Sequence, residues 1–580
     1  MLTIRSAAGF LVLLATAVAC APAPSGAPPR QPQDAATSGQ AAPASVQHTL
    51  IVIGGRAPDT IAARPLRQIQ GAGQPTATLR AFNAGLALND ARNLPVPYLA
   101  STLPQLNTES WRVFANGRME TTFPLRKGLT WHDGHPLEAA DFVFAYRVYA
   151  TPEIGLPDTP PFNYIEDVQA PDPATVIVRW RQPYADAAGL EAADFPPLPR
   201  HLLEATFNQG QPDAFTVLPF WNTGYVGIGP YKLTRFELGS FVEGVAFDTH
   251  ALGRPRIDQL RMMYMTDPNA ALANLLAGSA NVATDTSIDL QQAAVLEREW
   301  GARNAGTVQR TPVGIRHFNM QMRPEFAAPR AILDLRVRKA LAHATDRQSL
   351  ADGITEGMGT VADTLVLPQA GYYPELERVL AKYPYDLRRT DQLLGDAGYT
   401  KGGDGFYSSP SEGRFSMEVM VSQGPRNDTE VEIVADGLRK AGFDARIRIV
   451  PRAQQTEPFV FANFATVMIG SWNDAVEPPL KRMRSSEIAT IETRGRGNNY
   501  SGWNSPEADR LVQAYEAALD RTERNQRIVE LLKLVSDEVP MLPLYNNLAF
   551  LAFANGLKGP MVTLTSNAAT FNLHEWYWER

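Results

Sequence analysis

Cysteine is almost absent from this sequence: its 580 residues include one, Cys20. That scarcity excludes a disulfide framework, a cysteine-rich zinc site and an iron–sulfur cluster. Positive charge is not in excess either, because 54 Lys and Arg stand against 61 Asp and Glu, a formal net charge of −7. Nucleic acid is therefore not an expected partner, since binding it requires a positively charged surface. With 44% hydrophobic and 20% charged residues, the composition is that of a globular protein.

The chain also lacks an apolar run that could cross a membrane, which takes about 20 residues. Residues 7–19 are apolar and follow one charged residue, Arg5, which is the pattern of a secretory signal. Two processing routes stay open at its end. The Ala-Val-Ala-Cys sequence at 17–20 resembles a bacterial lipobox, in which Cys20 becomes the lipidated first residue, and Ala-Val-Ala at 17–19 is also a site for ordinary cleavage. We favour lipidation of Cys20, because it explains the position of the only cysteine.

The region after the signal divides into a tether and a folded part. Residues 21–47 are rich in Ala, Pro, Ser, Gly and Gln and contain no aromatic residue, so they cannot bury enough surface to fold. From residue 48 onward, patterns typical of strands and helices alternate without a repeat. Strands are predicted at 119–126, 175–180 and 445–450, and helices after Asp267-Pro268 and Ser505-Pro506. These patterns predict an α/β protein, and its length leaves room for about three domains.

Six motifs occur in a fixed order over nearly the whole folded part. The first combines E-S-W-R-V at 109–113, L-R-K-G-L-T-W-H-D-G-H-P-L at 125–137 and D-F-V-F at 141–144. The others are G-I-G-P-Y-K-L at 227–233, D-P-N-A-A-L at 267–272, D-L-R-V-R-K-A-L at 334–341, L-L-G-D-A-G-Y at 393–399 and P-M-L-P-L-Y at 540–545. Together they resemble the bacterial extracellular solute-binding proteins of family 5, the peptide/nickel-type receptors of ABC importers.

The resemblance implies a fold and a role. The expected fold is a two-lobed periplasmic-binding-protein fold of the class II, cluster C type, with three domains and a ligand cleft between the lobes. The implied division is domain I at 48–80, 225–322 and 545–580, domain II at 81–224 and domain III at 323–544. Ligand contacts with both lobes would stabilise the closed state, which the membrane permease recognises. We expect an exported monomer without a cofactor, held by lipid on Cys20 in the periplasm or on the outer face of the membrane.

The expected ligand site follows a buried strand at 466–470. Ligands of α/β sheets lie outside the carboxyl ends of strands, where Trp472, Asn473 and Asp474 stand. In the resemblance, Asp474 falls on the aspartate that pairs with a peptide's α-ammonium group, and the alternative is that it only caps a turn. Trp472 either stacks on a ligand or packs in the core. A peptide carboxylate would need a cation, and a solvated basic loop is the plainer interpretation of each candidate. The candidates are Arg494 and Arg496, which precede Tyr500, and Lys481, Arg482 and Arg484, which follow the Asp474 loop.

Other chemistry finds less support in the sequence. His132, Asp133 and His135 could supply metal ligands, but Asp-Gly is a turn signal and the family has this sequence irrespective of ligand, so we expect a turn and no metal. No phosphate loop or nucleophile motif occurs, so we expect no enzyme. Peptides or other amine-bearing solutes are the favoured ligands. Oligosaccharides, opines and nickel chelates stay open, as do a secreted hydrolase on this scaffold and a ligand sensor without transport.

Overall fold

The computed structural model describes residues 49–64, 66, 76–284, 286–457, 459–473, 480–563 and 569–579. The predicted signal, the tether and Cys20 lie outside the described residues, and so does Asp474.

The described strands and helices alternate along the chain as the sequence patterns predict. The strands are β1 Thr49–Gly54, β2 Ala87–Asn89, β3 Pro95–Pro97, β4 Trp111–Val113, β5 Met119–Pro124, β6 Ile165–Asp172, β7 Thr175–Trp180, β8 Tyr231–Glu237, β9 Phe241–Ala246, β10 Gln259–Tyr264, β11 Val282–Ala283, β12 Gly306–Met320, β13 Thr400–Lys401, β14 Tyr407–Ser409, β15 Gly413–Arg414, β16 Ser416–Ser422, β17 Asp444–Val450, β18 Val467–Trp472, β19 Met541–Ala554, β20 Leu557–Lys558 and β21 Tyr577–Trp578. The α-helices are α1 Thr76–Phe82, α2 Ala139–Ala150, α3 Arg200–Phe207, α4 Pro212–Thr216, α5 Pro268–Leu276, α6 Leu290–Arg303, α7 Leu335–Ala344, α8 Arg347–Thr355, α9 Tyr373–Glu377, α10 Leu387–Asp396, α11 Pro425–Ala441, α12 Pro506–Ala517 and α13 Arg521–Glu538. Single turns of 3-10 helix lie at Pro219–Trp221, Arg330–Leu333, Arg452–Gln454, Leu480–Met483, Ser485–Glu487 and Leu573–Glu575.

Several helix starts follow the capping signals in the sequence. Asp267 caps α5 by accepting a hydrogen bond from the backbone N–H of Asn269, and Ser505 caps α12 by accepting one from Ala508. In both helices Pro occupies the first position, where its missing N–H costs nothing. The predictions of these two helices, and of strands near 119–126, 175–180 and 445–450, are confirmed.

In the described part of the chain, ten strands form one mixed sheet in the order β17-β16-β18-β12-β19-β11-β1-β10-β9-β8. At one end β1 runs parallel to β10 and β11, and at the other β16 runs parallel to β17 and β18. Between them the long strands β12 and β19 pair antiparallel. A separate antiparallel sheet has the order β4-β5-β7-β6 and lies within the predicted domain II.

The hydrophobic core divides along β19, which gives the molecule two lobes. Leu551 belongs to a core that includes β1, β10 and the four-stranded sheet, which define lobe A together with the neighbouring core of α5 and α6. Leu542 and Leu544 belong to a core with β16, α7 and α11, which define lobe B together with the neighbouring core of α12 and α13. Between the two cores, Asn546 and Asn547 are buried polar residues. The predicted two-lobed α/β fold is confirmed, whereas the individual domain boundaries stay a prediction.

The two lobes are joined where β12 and β19 pass between them, and we call residues 312–315 and 545–548 the hinge region. The pairing shifts register between Pro312 and Gly314, where Pro312 cannot donate a ladder hydrogen bond. Gly314 is needed because a Cβ atom there would lie 2.3 Å from the carbonyl oxygen of Trp472. This close approach brings the end of β18 against the hinge region. The predicted strand at 466–470 is correspondingly longer, because pairing with β12 continues to Trp472.

Candidate functional site

A cavity of about 550 Å³ lies at the hinge region, and we call it the hinge cavity. It is lined by Pro268, Thr286, residues 288–291, residues 353–356, Pro425, Arg426, Thr429, residues 545–548 and Phe550. These residues come from both lobes and follow the carboxyl ends of β11 and β16, where ligands of α/β sheets bind. The first residues of α5, α6 and α11 line the cavity, so three helices begin there.

Arg426 is the cation of the hinge cavity. It lies in the first turn of α11, and its Nη1 donates to Asn547 Oδ1 at 2.7 Å. The Nδ2 of Asn547 donates to Ser471 Oγ at 3.2 Å, and Ser471 Oγ donates to Asn473 Oδ1 at 3.0 Å. This polar chain connects α11, the middle of β19 and the end of β18. The arginine is therefore positioned next to the segment where the sequence predicts the ligand.

The cavity also carries negative charge. Asp289 caps α6, its carboxylate accepting a hydrogen bond from the backbone N–H of Gln291 at 3.2 Å. Glu356 follows α8, is exposed and has no ion-pair partner among the residues that the structure describes. One guanidinium group and two carboxylates thus line the same cavity. Such an arrangement favours a solute with a charged group of each sign.

A buried ion pair fixes α11 behind the cavity. Arg316 on β12 donates from Nε to Glu430 Oε1 at 3.1 Å and also pairs with the other carboxylate oxygen through Nη2. Tyr545 Oη on β19 donates to Glu430 Oε1 at 2.9 Å. Burial lowers the pKa of Arg316, but the charge and hydrogen bonds of Glu430 outweigh it, so the pKa is raised overall. Because Glu430 lies one helical turn after Arg426, the Arg316–Glu430 ion pair fixes the position of Arg426.

Of the predicted site residues, Trp472 and Asn473 reach the hinge region. The Trp472 ring is 5% exposed and packs edge-on against His317, with ring centroids 5.7 Å apart. That position is the core-packing alternative, and stacking on a ligand stays a prediction. Asn473 is exposed and ends the polar chain that starts at Arg426. Asp474 follows directly but lies outside the described residues, so its role stays a prediction.

The other three predicted residues lie on a separate loop. Arg494 and Arg496 are exposed and are not among the residues that line the hinge cavity. Arg494 has a φ of 54°, the left-handed conformation of a tight turn. Tyr500 is half-buried against Phe461, and its carbonyl oxygen accepts a hydrogen bond from Arg323 at 2.8 Å. Their contribution to ligand binding stays a prediction.

The histidines at 132–135 form a turn, as expected. His132 is buried, its Nδ1 accepts a hydrogen bond from the backbone N–H of Gly227, and its Nε2 bonds to the carbonyl oxygen of Gly229. Burial lowers its pKa to about 4, so the ring is neutral at pH 7. His135 is exposed and stacks on His201. Within the described ranges, no group of three His, Cys, Asp or Glu residues could hold a metal ion.

Sequence reasoning missed Arg426, Asp289 and Glu356. Each stands at the end of a helix, where a charged residue is ordinarily a solvated cap. For Asp289 and Arg426 the one available signal was a position after a strand, whereas Glu356 follows helix α8 and has no such signal. The sequence spacing of the three residues does not show that they share a cavity.

Comparison with known proteins decides the family. The sequence model of the bacterial extracellular solute-binding proteins, family 5 (middle region), matches residues 102–487, more than half of the chain. This chain belongs to that family. Its members are transport receptors rather than enzymes, and they act outside the cytoplasm. Within the described residues, no helix combines the length and the apolar character that a membrane span needs.

The relatives share low identity over most of their length. The oligopeptide-binding protein AppA of Bacillus subtilis is 23% identical over 523 residues, which cover 87% of this chain and 90% of that protein. The dipeptide-binding protein of Escherichia coli is 24% identical over 490 residues, covering 78% and 83%. The structure of NikZ from Campylobacter jejuni in complex with Ni(L-His) has a TM-score of 0.66 at 21% identity, covering 91% of this chain and 99% of that one. The last comparison supports the fold alone.

Proposed function

We propose that this family 5 receptor captures peptides, or other solutes with an ammonium and a carboxylate group, in the hinge cavity and delivers them to an ABC importer. The observation that carries the proposal is the presence of opposite charges in one cavity that both lobes line. A solute that contacts both lobes stabilises their closed arrangement, because those contacts are complete only when the lobes are together.

Arg426 is proposed to hold the ligand's carboxylate. A guanidinium group has five N–H donors, and Asn547 accepts a hydrogen bond from one of them, which leaves others for a planar carboxylate. Its position in the first turn of α11 adds the positive end of the helix dipole. Arg494 and Arg496 are the competing cations from the sequence.

Asp474 is proposed to pair with the ammonium group, with Glu356 as a second carboxylate in the cavity. Asp474 follows Asn473, the last residue of the polar chain from Arg426. Pairing with a ligand ammonium gives a charge-assisted hydrogen bond, whereas an apolar ligand end would leave a carboxylate desolvated without a partner. Trp472, Asn473 and Tyr500 are proposed to line the ligand site around this pair.

The proposal includes export and a membrane anchor. The signal pattern ending at Cys20 supports lipidation, and the tether at 21–47 would hold the receptor near its permease. We propose that it acts as a monomer. Labelling cells with a radioactive fatty acid tests the anchor: the wild-type protein becomes labelled and the Cys20→Ser variant does not. Equal labelling of the two proteins would contradict lipidation at Cys20.

Thermal unfolding against a ligand panel tests the binding role. The panel contains di- to pentapeptides, nickel chelates and oligosaccharides. The proteins are wild type, Asp474→Ala and, as a matched control, Asp537→Ala, at a partly exposed position on α13. A ligand at 100 times its dissociation constant stabilises the folded state by about 2.7 kcal/mol. We expect a peptide-specific rise in Tm that is lost in Asp474→Ala alone. A rise only with sugars or chelates would contradict the peptide assignment.

A further inference from the structure

The lobes also contact each other away from the hinge region, through residues far apart in sequence. Arg524 in α13 of lobe B forms an ion pair with Asp186 of lobe A, with 2.9 Å between Nη1 and Oδ1. The two residues are 338 positions apart. The Arg524 side chain is 13% exposed and that of Asp186 is 56% exposed, so the pair lies at the rim of the contact.

Lobe B holds Arg524 in place for this contact. Its Nη2 donates to Tyr515 Oη at 2.6 Å, and its guanidinium group lies over the Tyr515 ring, 4.6 Å from the centroid. Leu519, in the connection between α12 and α13, packs against the core of lobe A. An apolar contact and an ion pair thus join the α12–α13 connection and the first turn of α13 to the opposite lobe. We call Leu519, Arg524 and Asp186 the interlobe contact.

The interlobe contact is narrow. Next to it, residues of both lobes line a second cavity of about 460 Å³, with Tyr164 and Tyr184 on one side and Lys481 and Tyr515 on the other. Next to the interlobe contact, the facing surfaces are therefore separated by open space. A narrow contact of this kind contributes little to the free-energy difference between the closed and open arrangements, so it can be broken when the lobes separate.

We propose that the Asp186–Arg524 ion pair is a latch that biases the lobes toward the closed arrangement. The proposal rests on the proposed function and deepens it. It names an interaction, other than ligand binding, that sets the ratio of open to closed molecules. Asp186 and Arg524 lie on different lobes, so the attraction exists only when the lobes are together. Exposed ion pairs change an equilibrium by about twofold to fivefold. Loss of the latch should raise the open-to-closed ratio by that factor, and weaken ligand binding by a smaller or equal factor.

Single-molecule energy transfer measures the balance without a ligand. The full chain carries Cys20→Ser, which leaves no cysteine, and dyes are attached at Gln209→Cys in lobe A and Gln513→Cys in lobe B, both exposed positions. The variants are Asp186→Asn, Arg524→Gln and the double variant. Asp537→Asn is the control, because Asp537 pairs with Lys533 inside α13 and does not cross between the lobes.

We expect each single variant to raise the ratio of low-transfer to high-transfer molecules about twofold to fivefold, and the control to match the wild-type protein. The double variant should open no further than the single variants, because both remove the same interaction. A distribution unchanged by Asp186→Asn, or additive effects in the double variant, would overturn the latch. The energy-transfer measurement uses no ligand, so the two proposals can fail separately. If Asp186→Asn opens the lobes but the wild-type protein binds no peptide, the latch is supported and the proposed function is contradicted.

Discussion

Two arginine–carboxylate ion pairs of this receptor differ in their position and in the role we expect of each. Arg316 and Glu430 lie inside lobe B, with side chains 6% and 0% exposed, and join β12 to α11. Asp186 and Arg524, with side chains 56% and 13% exposed, lie at the rim of the interlobe contact and join the two lobes. The same chemistry therefore occurs in two environments, one that excludes water and one that does not.

The difference shows how burial decides what an ion pair can do. A buried pair cannot be opened cheaply, because each charge would remain desolvated without its partner. The Arg316–Glu430 pair thus keeps α11, and with it Arg426, in one position. An exposed pair exchanges its partner for water at little cost. The Asp186–Arg524 pair is accordingly suited to a contact that forms and breaks in each transport cycle.

The largest expected effect comes from removing one partner of the buried pair. Glu430→Ala leaves the Arg316 guanidinium buried without its carboxylate, while Asn427 Oδ1 still accepts a hydrogen bond from it at 3.0 Å. We expect the free energy of unfolding to fall by about 3 to 5 kcal/mol. Asp186→Ala, the matched change in the exposed pair, should cost less than about 1 kcal/mol. Urea denaturation measures both, and equal losses would contradict the comparison.

A smaller effect follows from the histidine next to Arg316. Burial lowers the pKa of His317 to about 3, and the charge of Arg316 acts in the same direction. Between that value and its ordinary pKa of about 6.5, the unfolded chain binds a proton that the folded protein excludes. His317 therefore reduces stability as the pH falls below about 6.5, by about 1.4 kcal/mol per pH unit.

Replacing His317 should remove its contribution, the uptake of one proton on unfolding, to the pH dependence of stability. Urea denaturation of wild type and His317→Gln at pH 7 and pH 5 gives the two slopes. We expect the wild-type protein to lose about 2 kcal/mol more than the variant over this range. Burial also lowers the pKa of His250, to about 3, and this residue is present in both proteins, so it cancels. Identical slopes would show that His317 is protonated in the folded state.

The smallest expected effect is a difference between the two ion pairs in how salt changes their contribution to stability. The Debye length falls from about 30 Å at 0.01 M to about 3 Å at 1 M ionic strength, which screens exposed charges far more than buried ones. The stability lost in Asp186→Asn should shrink to nothing at 1 M NaCl. The loss in Glu430→Gln should persist there. Unfolding at both salt concentrations tests this, and a salt-sensitive Glu430→Gln loss would mean that water reaches the buried pair.

Local chemistry explains which parts of the fold could be predicted. Helices such as α5 and α12 begin at a capping side chain followed by Pro, and both signals lie within a few residues of each other. The strand at β7 was predictable for the same reason, because alternation of buried residues is visible in six positions. The end of β18 was not, since pairing of Trp472 depends on Ile315, which is distant in sequence.

The site was less predictable than the fold. Asn473 was predicted because it follows a strand, and Cys20 because its surroundings have a processing pattern, and both roles stay predictions. Arg426 and Asp289 share a cavity only because β12 and β19 bring the starts of α11 and α6 together. No spacing in the sequence carries that information. The sequence indicated the Arg494 loop because it is a basic cluster. The arginine that lines the cavity is Arg426, a single arginine in the first turn of α11.

The most direct test of the central claim is a thermodynamic cycle between Arg426 and the ligand's carboxylate. Calorimetry compares the best peptide of the panel with its C-terminal amide, on wild type, Arg426→Gln and Arg496→Gln. Hydrogen bonds to a charged group contribute about 1.5 to 3 kcal/mol, so amidation should weaken binding to wild type and Arg496→Gln at least tenfold. In Arg426→Gln the amide and the acid should bind alike. An equal loss on amidation in all three proteins would contradict the assignment of the hinge cavity as the ligand site.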